Sequence, residues 1–235
     1  MSGPATAGPG PATGAAASFV DRLLRLDTCS VSDALDKLGL AGAVVGLGAL
    51  TSRRRVAGPV RTVKLGAPIE GLPKRHLGAG AIMAAEAGDV IVVEHRGRLD
   101  VSGWGGLLSR GAVRKGVVAV IVDGACRDLD ESEELGLPVF ARAAVPVTAR
   151  GRVAEHSFNE PITVAGLAVR PGDLVLADGS GVVFVTADKA DAVIAEAEEI
   201  YAREQLMAAA IDRGDPMGEV MGANYEDMLK RAGAR

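Results

Sequence analysis

The sequence predicts an α/β fold, with helices ahead of the first strands and one long helix after the last. Three features carry that prediction. The Val/Ile-rich run at 117–122 has the character of a strand buried on both faces and follows a helix with one apolar face, an alanine-rich helix precedes a further strand at 90–94, and Asp188 to Ile211 keeps a helical stripe. At 235 residues the chain can bury a substantial core, and with 48% apolar but only 3% aromatic residues that core must be built from Val, Leu, Ile and Ala. The formal net charge of -4 argues against a nucleic-acid partner.

Met1 to Ala17 is built of Gly, Pro, Ala, Ser and Thr, without the basic start or long aliphatic run of a signal peptide, so it reads as a disordered tail. Ordered chain is expected from Ser18. Phe19, Val20, Leu23, Leu24 and Leu26 form a first helical stripe. Thr28 or Ser30 caps a second helix, in which Val31, Ala34, Leu35 and Leu38 recur before Gly39 stops it. Val44 to Leu50 is glycine-rich and reads as irregular or weak strand, leading to the basic cluster Arg53 to Arg55. Val56 to Leu65 follows as a strand pair or a bent strand broken at Gly58-Pro59. Pro68 and Pro73 bound a connection to an alanine-rich helix at His76 to Ala87, and Val90 to Glu94 is the next strand. After it, His95 reads as a polar-loop residue and a candidate acid or base.

Gly103 to Glu131 is the most informative stretch. Gly103, Gly105 and Gly106 allow close backbone approach, and the helix they open presents free amide N–H groups suited to a carboxylate or phosphate. Leu107, Leu108 and Ala112 give that helix an apolar face and Gly116 ends it. Val117 to Val122 is the buried strand, and Asp123-Gly124 reads as the turn after it. Arg127 and Asp128 follow where α/β sheets present their chemistry, beyond the carboxyl end of a strand. A free carboxylate there suits Mg²⁺ or Mn²⁺, and a guanidinium suits a second carboxylate or a developing oxyanion. The competing reading makes both residues solvated loop charges.

Downstream, Val139 to Ala141 and Val145 to Val153 read as strands. Ile162 to Val169 reads as a hairpin turning at Gly166, and 174–177 with 182–186 as a second hairpin. Gly88-Asp89 and Gly172-Asp173 each precede a strand, which implies two similar turns. A last short helix is expected at Tyr225 to Leu229, so 188–235 is a helical extension after a domain spanning 18–187, packed on it or on a neighbouring subunit. Cys29 and Cys126 fit neither a disulfide framework nor a zinc pattern and read as packed, reduced thiols of a cytoplasmic protein. No apolar run reaches membrane length. GxGxxG, Walker A and GxSxG motifs are lacking, as is any metal-binding spacing among the histidines.

Residues 105–131, GGLLSRGAVRKGVVAVIVDGACRDLDE, resemble the G-x-L-x-x-x-A-x-x-x-G … D-G-x-x-R-D pattern of the RraA-like family. That family includes divalent-metal-dependent aldolases acting on 4-hydroxy-4-methyl-2-oxoglutarate and 4-carboxy-4-hydroxy-2-oxoadipate, and also regulators that bind ribonuclease E. Similarity continues through SVSDALDKLG from Ser30, Ala57-Gly58-Pro59, Ala87-Gly88-Asp89-Val90, Val169 to Asp173 and Ala177 to Val182. The resemblance implies a swivelling α/β/β sandwich, assembled as a homotrimer or homohexamer with sites between subunits. It implies that Asp128 ligates Mg²⁺ or Mn²⁺, that Arg127 contacts pyruvyl oxygens, and that backbone at Gly105, Gly106, Leu107 and Leu108 receives the carboxylate of a small oxo-acid substrate. Gly106 departs from members with an acidic residue there. Glu199 is a candidate for reaching a neighbouring subunit's site. The implied chemistry is cleavage of a 4-hydroxy-2-oxo acid to pyruvate and a second oxo acid, with oxaloacetate decarboxylation at the same electron sink.

Overall fold

The long strand Val56–Gly66 joins two sheets, and the site is built on one of them. The computed structural model describes residues 14–71 and 76–222. In chain order these form α1 (Gly14–Leu23), α2 (Thr28–Lys37), β1 (Ala43–Val44), β2 (Gly48–Ala49), β3 (Val56–Gly66), α3 (Ala79–Ala84), β4 (Val90–Ser102), α4 (Gly106–Arg114), β5 (Ala119–Cys126), α5 (Leu129–Glu134) and β6 (Val139–Ala144). After them come β7 (Ala154–Phe158), β8 (Ile162–Val164), β9 (Leu167–Val169), β10 (Leu174–Asp178), β11 (Gly181–Val185), α6 (Ala190–Asp212) and α7 (Met217–Val220). The expected helix at Tyr225 to Leu229 lies outside the described residues, as do residues 1–13 of the expected tail. The first helix begins at Gly14, ahead of the expected start at Ser18.

The strand order is β1-β11-β10-β3-β4-β5-β6-β2, with β7 also on β3 and β8 paired to β9. Strands β3, β4, β5 and β6 are parallel neighbours, and the other pairings are antiparallel. Side-chain alternation then sorts each strand between two cores. Ile91, Val93, Val120 and Val122 pack with α3 and α4 residues, whereas Val90, Val92, Ala119 and Ile121 meet Val175, Ala177, Val182 and Phe184 from β10 and β11. The other face of β10 and β11, through Leu174, Leu176, Val183 and Val185, carries α1, α2 and the Val193-Ile194-Ala197 face of α6. The molecule is therefore a mixed α/β structure with a long C-terminal helix, its apolar strands buried on both faces.

Several local expectations are corrected. Gly58-Pro59 does not break β3: Pro59 is the last residue paired with β10 and Val60 the first paired with β4, so the strand changes partners at a residue with no N–H to satisfy. Asp123-Gly124 is not a turn but part of β5. The Asp123 carboxylate accepts from Arg142 Nε at 2.6 Å and from Ala165 N at 2.8 Å, partners remote in sequence that hold it in the strand. The segment 145–153 is irregular rather than a strand, because Val145 N bonds Cys126 O, Val147 O serves Ser102 N, and Gly151 turns at φ 74°. The helix expected at His76 to Ala87 is confined to α3, and Cys29 is exposed, not packed, while Cys126 is buried with its thiol pushed up by burial. The two Gly-Asp turns are alike: Gly88 and Gly172 have φ 94° and 89°, and Asp89 and Asp173 each accept a backbone N–H three residues back.

His95 belongs to β4 rather than to a loop. It is 2% exposed, its Nε2 lies 2.9 Å from Val101 O, and burial holds its imidazole below the ordinary histidine value, aided by Arg98. Between that lowered value and about pH 6.5 the unfolded chain takes up a proton that the folded chain refuses. Stability should therefore be full above about pH 6.5 and fall as pH drops below it. Denaturant unfolding across this window, compared with His95→Gln, should show a shallower pH slope in the variant; equal slopes would remove His95 as the cause.

Candidate functional site

Strand β5 delivers Arg127 and Asp128 to the mouth of a cavity of about 800 Å³, and the loop before α4 forms the facing edge. Backbone hydrogen bonds fasten the two: Gly103 N donates to Ala125 O at 2.8 Å and Arg127 N to Trp104 O at 3.1 Å. Beneath them, Trp104 Nε1 donates to Ser109 Oγ at 2.9 Å, and Ser109 Oγ lies 2.8 Å from Ser132 Oγ, linking α4 to α5. These buried polar contacts fix the loop that leads into α4.

Asp128 caps α5 in the left-handed region, φ 55° and ψ 42°, a conformation that Asp tolerates better than most residues. It turns the carboxylate back toward α4. Asp128 Oδ2 accepts from Gly106 N at 3.0 Å and lies 3.3 Å from Arg127 Nε. Its Oδ1 has no hydrogen-bond partner among the described residues. Neither side chain is buried, at 37% exposure for Arg127 and 40% for Asp128. Gly105 permits this approach, since a Cβ there would lie 2.8 Å from Asp128 Oδ2 and 3.3 Å from Arg127 Nε.

The sequence assigned Gly105, Gly106, Leu107 and Leu108 to substrate binding, and all four line the cavity. Their amides are not equivalent. Gly106 N–H is given to Asp128 and Leu108 N–H to Gly105 O at 3.1 Å, leaving Leu107 N–H as the donor of this first turn without a partner among the described residues. The other candidates are elsewhere. His95 packs under the loop, where a Cβ on Gly103 would meet its ring at 3.0 Å, and Glu199 sits on the exposed side of α6, outside this chain's cavity. Arg53 to Arg55 do not line it either; Arg55 reaches the Leu24 carbonyl. Lys74 and Arg75 lie outside the described residues.

Two residues near the site escaped the sequence reading. Arg150 lines the cavity, as do His76 and Thr148, and was hidden by the expectation of a strand at 145–153. Glu131 follows Asp128 by three residues on α5, and its Oε1 accepts from Arg110 Nη2 at 2.7 Å. The D-x-x-E spacing at a helix start was its available signal, since residues three apart share a helix face.

Among the described residues no group of three or more His, Cys, Asp and Glu side chains forms a metal cage. One carboxylate oxygen without a protein partner, on a residue that lines the cavity, fits a hard divalent cation that keeps most of its ligands as water, the usual habit of Mg²⁺.

Fold and site together define an α/β protein with a cavity at the carboxyl end of a parallel strand. The chain belongs to the RraA-like family: the family model described as RraA-like, Aldolase/RraA, matches residues 28–184. A protein of Halalkalibacterium halodurans, whose name carries a provisional assignment as 4-hydroxy-4-methyl-2-oxoglutarate aldolase, is 30% identical over 193 residues, covering 82% of this chain and 88% of that protein. Protein DlpA of Legionella pneumophila is 27% identical over 206 residues, which cover 85% of this chain but only 32% of DlpA. The solved structure of Streptomyces coelicolor RraAS2, described as an unusual member of the RNase ES inhibitor RraA family, superposes with a TM-score of 0.72 at 27% identity, covering 80% of this chain and 94% of that one. Among the described residues no helix is long and apolar enough to cross a membrane.

Proposed function

We propose that this protein is a divalent-cation-dependent carbon–carbon lyase that cleaves a 4-hydroxy-2-oxo di- or tricarboxylic acid to pyruvate and a second oxo acid, and that it also decarboxylates oxaloacetate. The observation that carries the reading is the pairing of Arg127 with Asp128 at the cavity mouth, with Asp128 Oδ1 left open and Gly106 N–H fixing Oδ2. Names of relatives such as the Halalkalibacterium protein support the same class.

Asp128 would hold Mg²⁺ or Mn²⁺. When bound, such a cation supplies a Lewis acid for the charge that develops on the 2-oxo acid as its carbon–carbon bond breaks. Arg127 places its guanidinium beside that charge, where a fixed donor stabilises an oxyanion without reorganising. Leu107 N–H and the positive end of α4 suit the substrate carboxylate. The apolar surfaces of Trp104 and Leu108 in the lining would limit water, and Arg150 and His76 in the same lining would offer cationic or hydrogen-bonding groups for a distal substituent. The reading includes assembly as a homotrimer or homohexamer, in which Glu199 would approach a neighbour's site; light scattering of the full chain measures that assembly.

The direct test is pyruvate release from 4-hydroxy-4-methyl-2-oxoglutarate and from oxaloacetate, with Mg²⁺ or Mn²⁺ and again with EDTA. Chelator-sensitive release is expected from both. No release from either would favour a binding role, as the regulatory name of RraAS2 suggests for that protein. Gly105→Ala should cut turnover at least tenfold while changing stability little, because the added Cβ crowds the Asp128 carboxylate and Arg127 together; unchanged kcat/KM would show that their placement is not critical.

A further inference from the structure

Buried polar side chains run from the cavity lining to the backbone of Asp128. Trp104, Ser109 and Ser132 are 2%, 0% and 1% exposed. Trp104 Nε1 donates to Ser109 Oγ at 2.9 Å, Ser109 Oγ lies 2.8 Å from Ser132 Oγ, and Ser132 Oγ lies 3.2 Å from Asp128 O. Proton counting gives this chain a direction. The indole N–H can only donate, so the Ser109 proton must go to another acceptor. Gly105 O, at 3.4 Å, already accepts from Leu108 N and Ser109 N. Ser132 Oγ is therefore the acceptor, and the Ser132 proton passes on to Asp128 O. Trp104 holds the preceding residue as well, since its own carbonyl accepts from Arg127 N at 3.1 Å. One tryptophan is thus tied to both members of the Arg127–Asp128 pair.

Asp128 needs such a tie. An aspartate just before a helix ordinarily turns its carboxylate onto that helix's first amides. At φ 55° Asp128 makes no such cap on α5 and accepts from Gly106 N instead. The left-handed backbone is what releases the carboxylate from its own helix, and surrounding contacts must hold that backbone against its strain. Resting on the reading of Asp128 and Arg127 as the cation and oxyanion groups, we infer that Ser109 and Ser132 are positioning residues, a buried hydroxyl relay that fixes the Asp128 peptide against Trp104 and so aims its carboxylate. Packing alone does not call for the two serines, because alanine fills nearly the same space and a neutral hydrogen bond adds only modestly to stability. The value of the relay lies in geometry, since displacing a reacting group by about 1 Å can cost about a hundredfold in rate.

The chain has a single tryptophan, so isotopically labelled protein gives one indole N–H resonance, and Mg²⁺ without substrate is the probe. Saturating Mg²⁺ should shift that resonance in the wild type. Ser132→Ala keeps Trp104, Ser109 and the Asp128 side chain but cuts the relay, and the shift should shrink several-fold. The direct field of the cation on the indole acts in both proteins, so the difference reports the relay. Oxaloacetate decarboxylation gives a second readout. Ser109→Ala and Ser132→Ala should each lower kcat about tenfold with KM changed by less than about twofold and Tm lowered by only a few degrees. The double variant should lose no more than either single one, because links of one chain act as a unit. An indole resonance that ignores Mg²⁺ in the wild type, or a shift in Ser132→Ala equal to that in the wild type, would overturn the relay. Losses that multiply in the double variant, or a lowered Tm with kcat unchanged, would also overturn it and leave the serines a structural role. Asp128→Asn with unchanged indole shift and turnover would instead overturn the underlying reading.

Discussion

Asp128→Asn is expected to abolish cation-dependent pyruvate release, with a loss of about a thousandfold or more, while the protein stays folded. Asparagine is the informative replacement. It tolerates the left-handed backbone that Asp128 adopts at φ 55°, and its amide oxygen can still accept from Gly106 N, so the variant removes charge more than shape. Alanine would remove the acceptor and add backbone strain of about 1 kcal/mol, which confounds ligand loss with loop movement. Turnover and Mn²⁺ affinity should fall together, and a variant with near-normal kcat/KM would take Asp128 out of the chemistry.

Arg127→Ala should separate these two quantities. Its guanidinium approaches Asp128 through Nε at 3.3 Å and has no other hydrogen-bond partner among the described residues, so its fork is available to substrate oxygens. Removal of a donor aimed at a developing oxyanion costs about a hundredfold to a thousandfold in kcat. Mn²⁺ affinity should not weaken, because a neighbouring positive charge has been taken away. Steady-state kinetics with a parallel Mn²⁺ titration checks this. A rise in KM at constant kcat would instead assign Arg127 to uniform substrate binding.

The stretch that carries these residues was legible because its signals are local. Glycines open α4, Gly116 closes it, and a short Val/Ile-rich run after that stop reads as a buried strand, so Arg127 and Asp128 fell at the end of that strand in sequence and in structure. What the sequence hid depends on remote partners. Asp123-Gly124 has turn composition, yet Arg142 and Ala165 hold the aspartate in β5, and Gly124 is there because a Cβ would strike the His95 ring. His95 itself looked like a loop residue because Arg96-Gly97 follows it; both take positive φ inside β4 and kink the strand without ending it. The part of the cavity lining drawn from 148–155 was least legible. Residues 145–153 have a strand-like composition, but their backbone is spent on Cys126 and Ser102, and the irregular path brings Arg150 to the cavity. Glu131 was visible only as one of several acids on a short helix until Gly106 was found beneath its carboxylate.

The central claim is that Asp128 and Arg127 stabilise a pyruvyl enolate with the help of a divalent cation. Exchange of the methyl protons of pyruvate in D₂O, followed by NMR, reports that enolate without any assumption about the distal group of the natural substrate. Exchange should be accelerated by protein with Mg²⁺ or Mn²⁺, suppressed by EDTA, and absent in Asp128→Asn. Exchange no faster than with the metal salt alone, or equally fast in Asp128→Asn, would contradict the account.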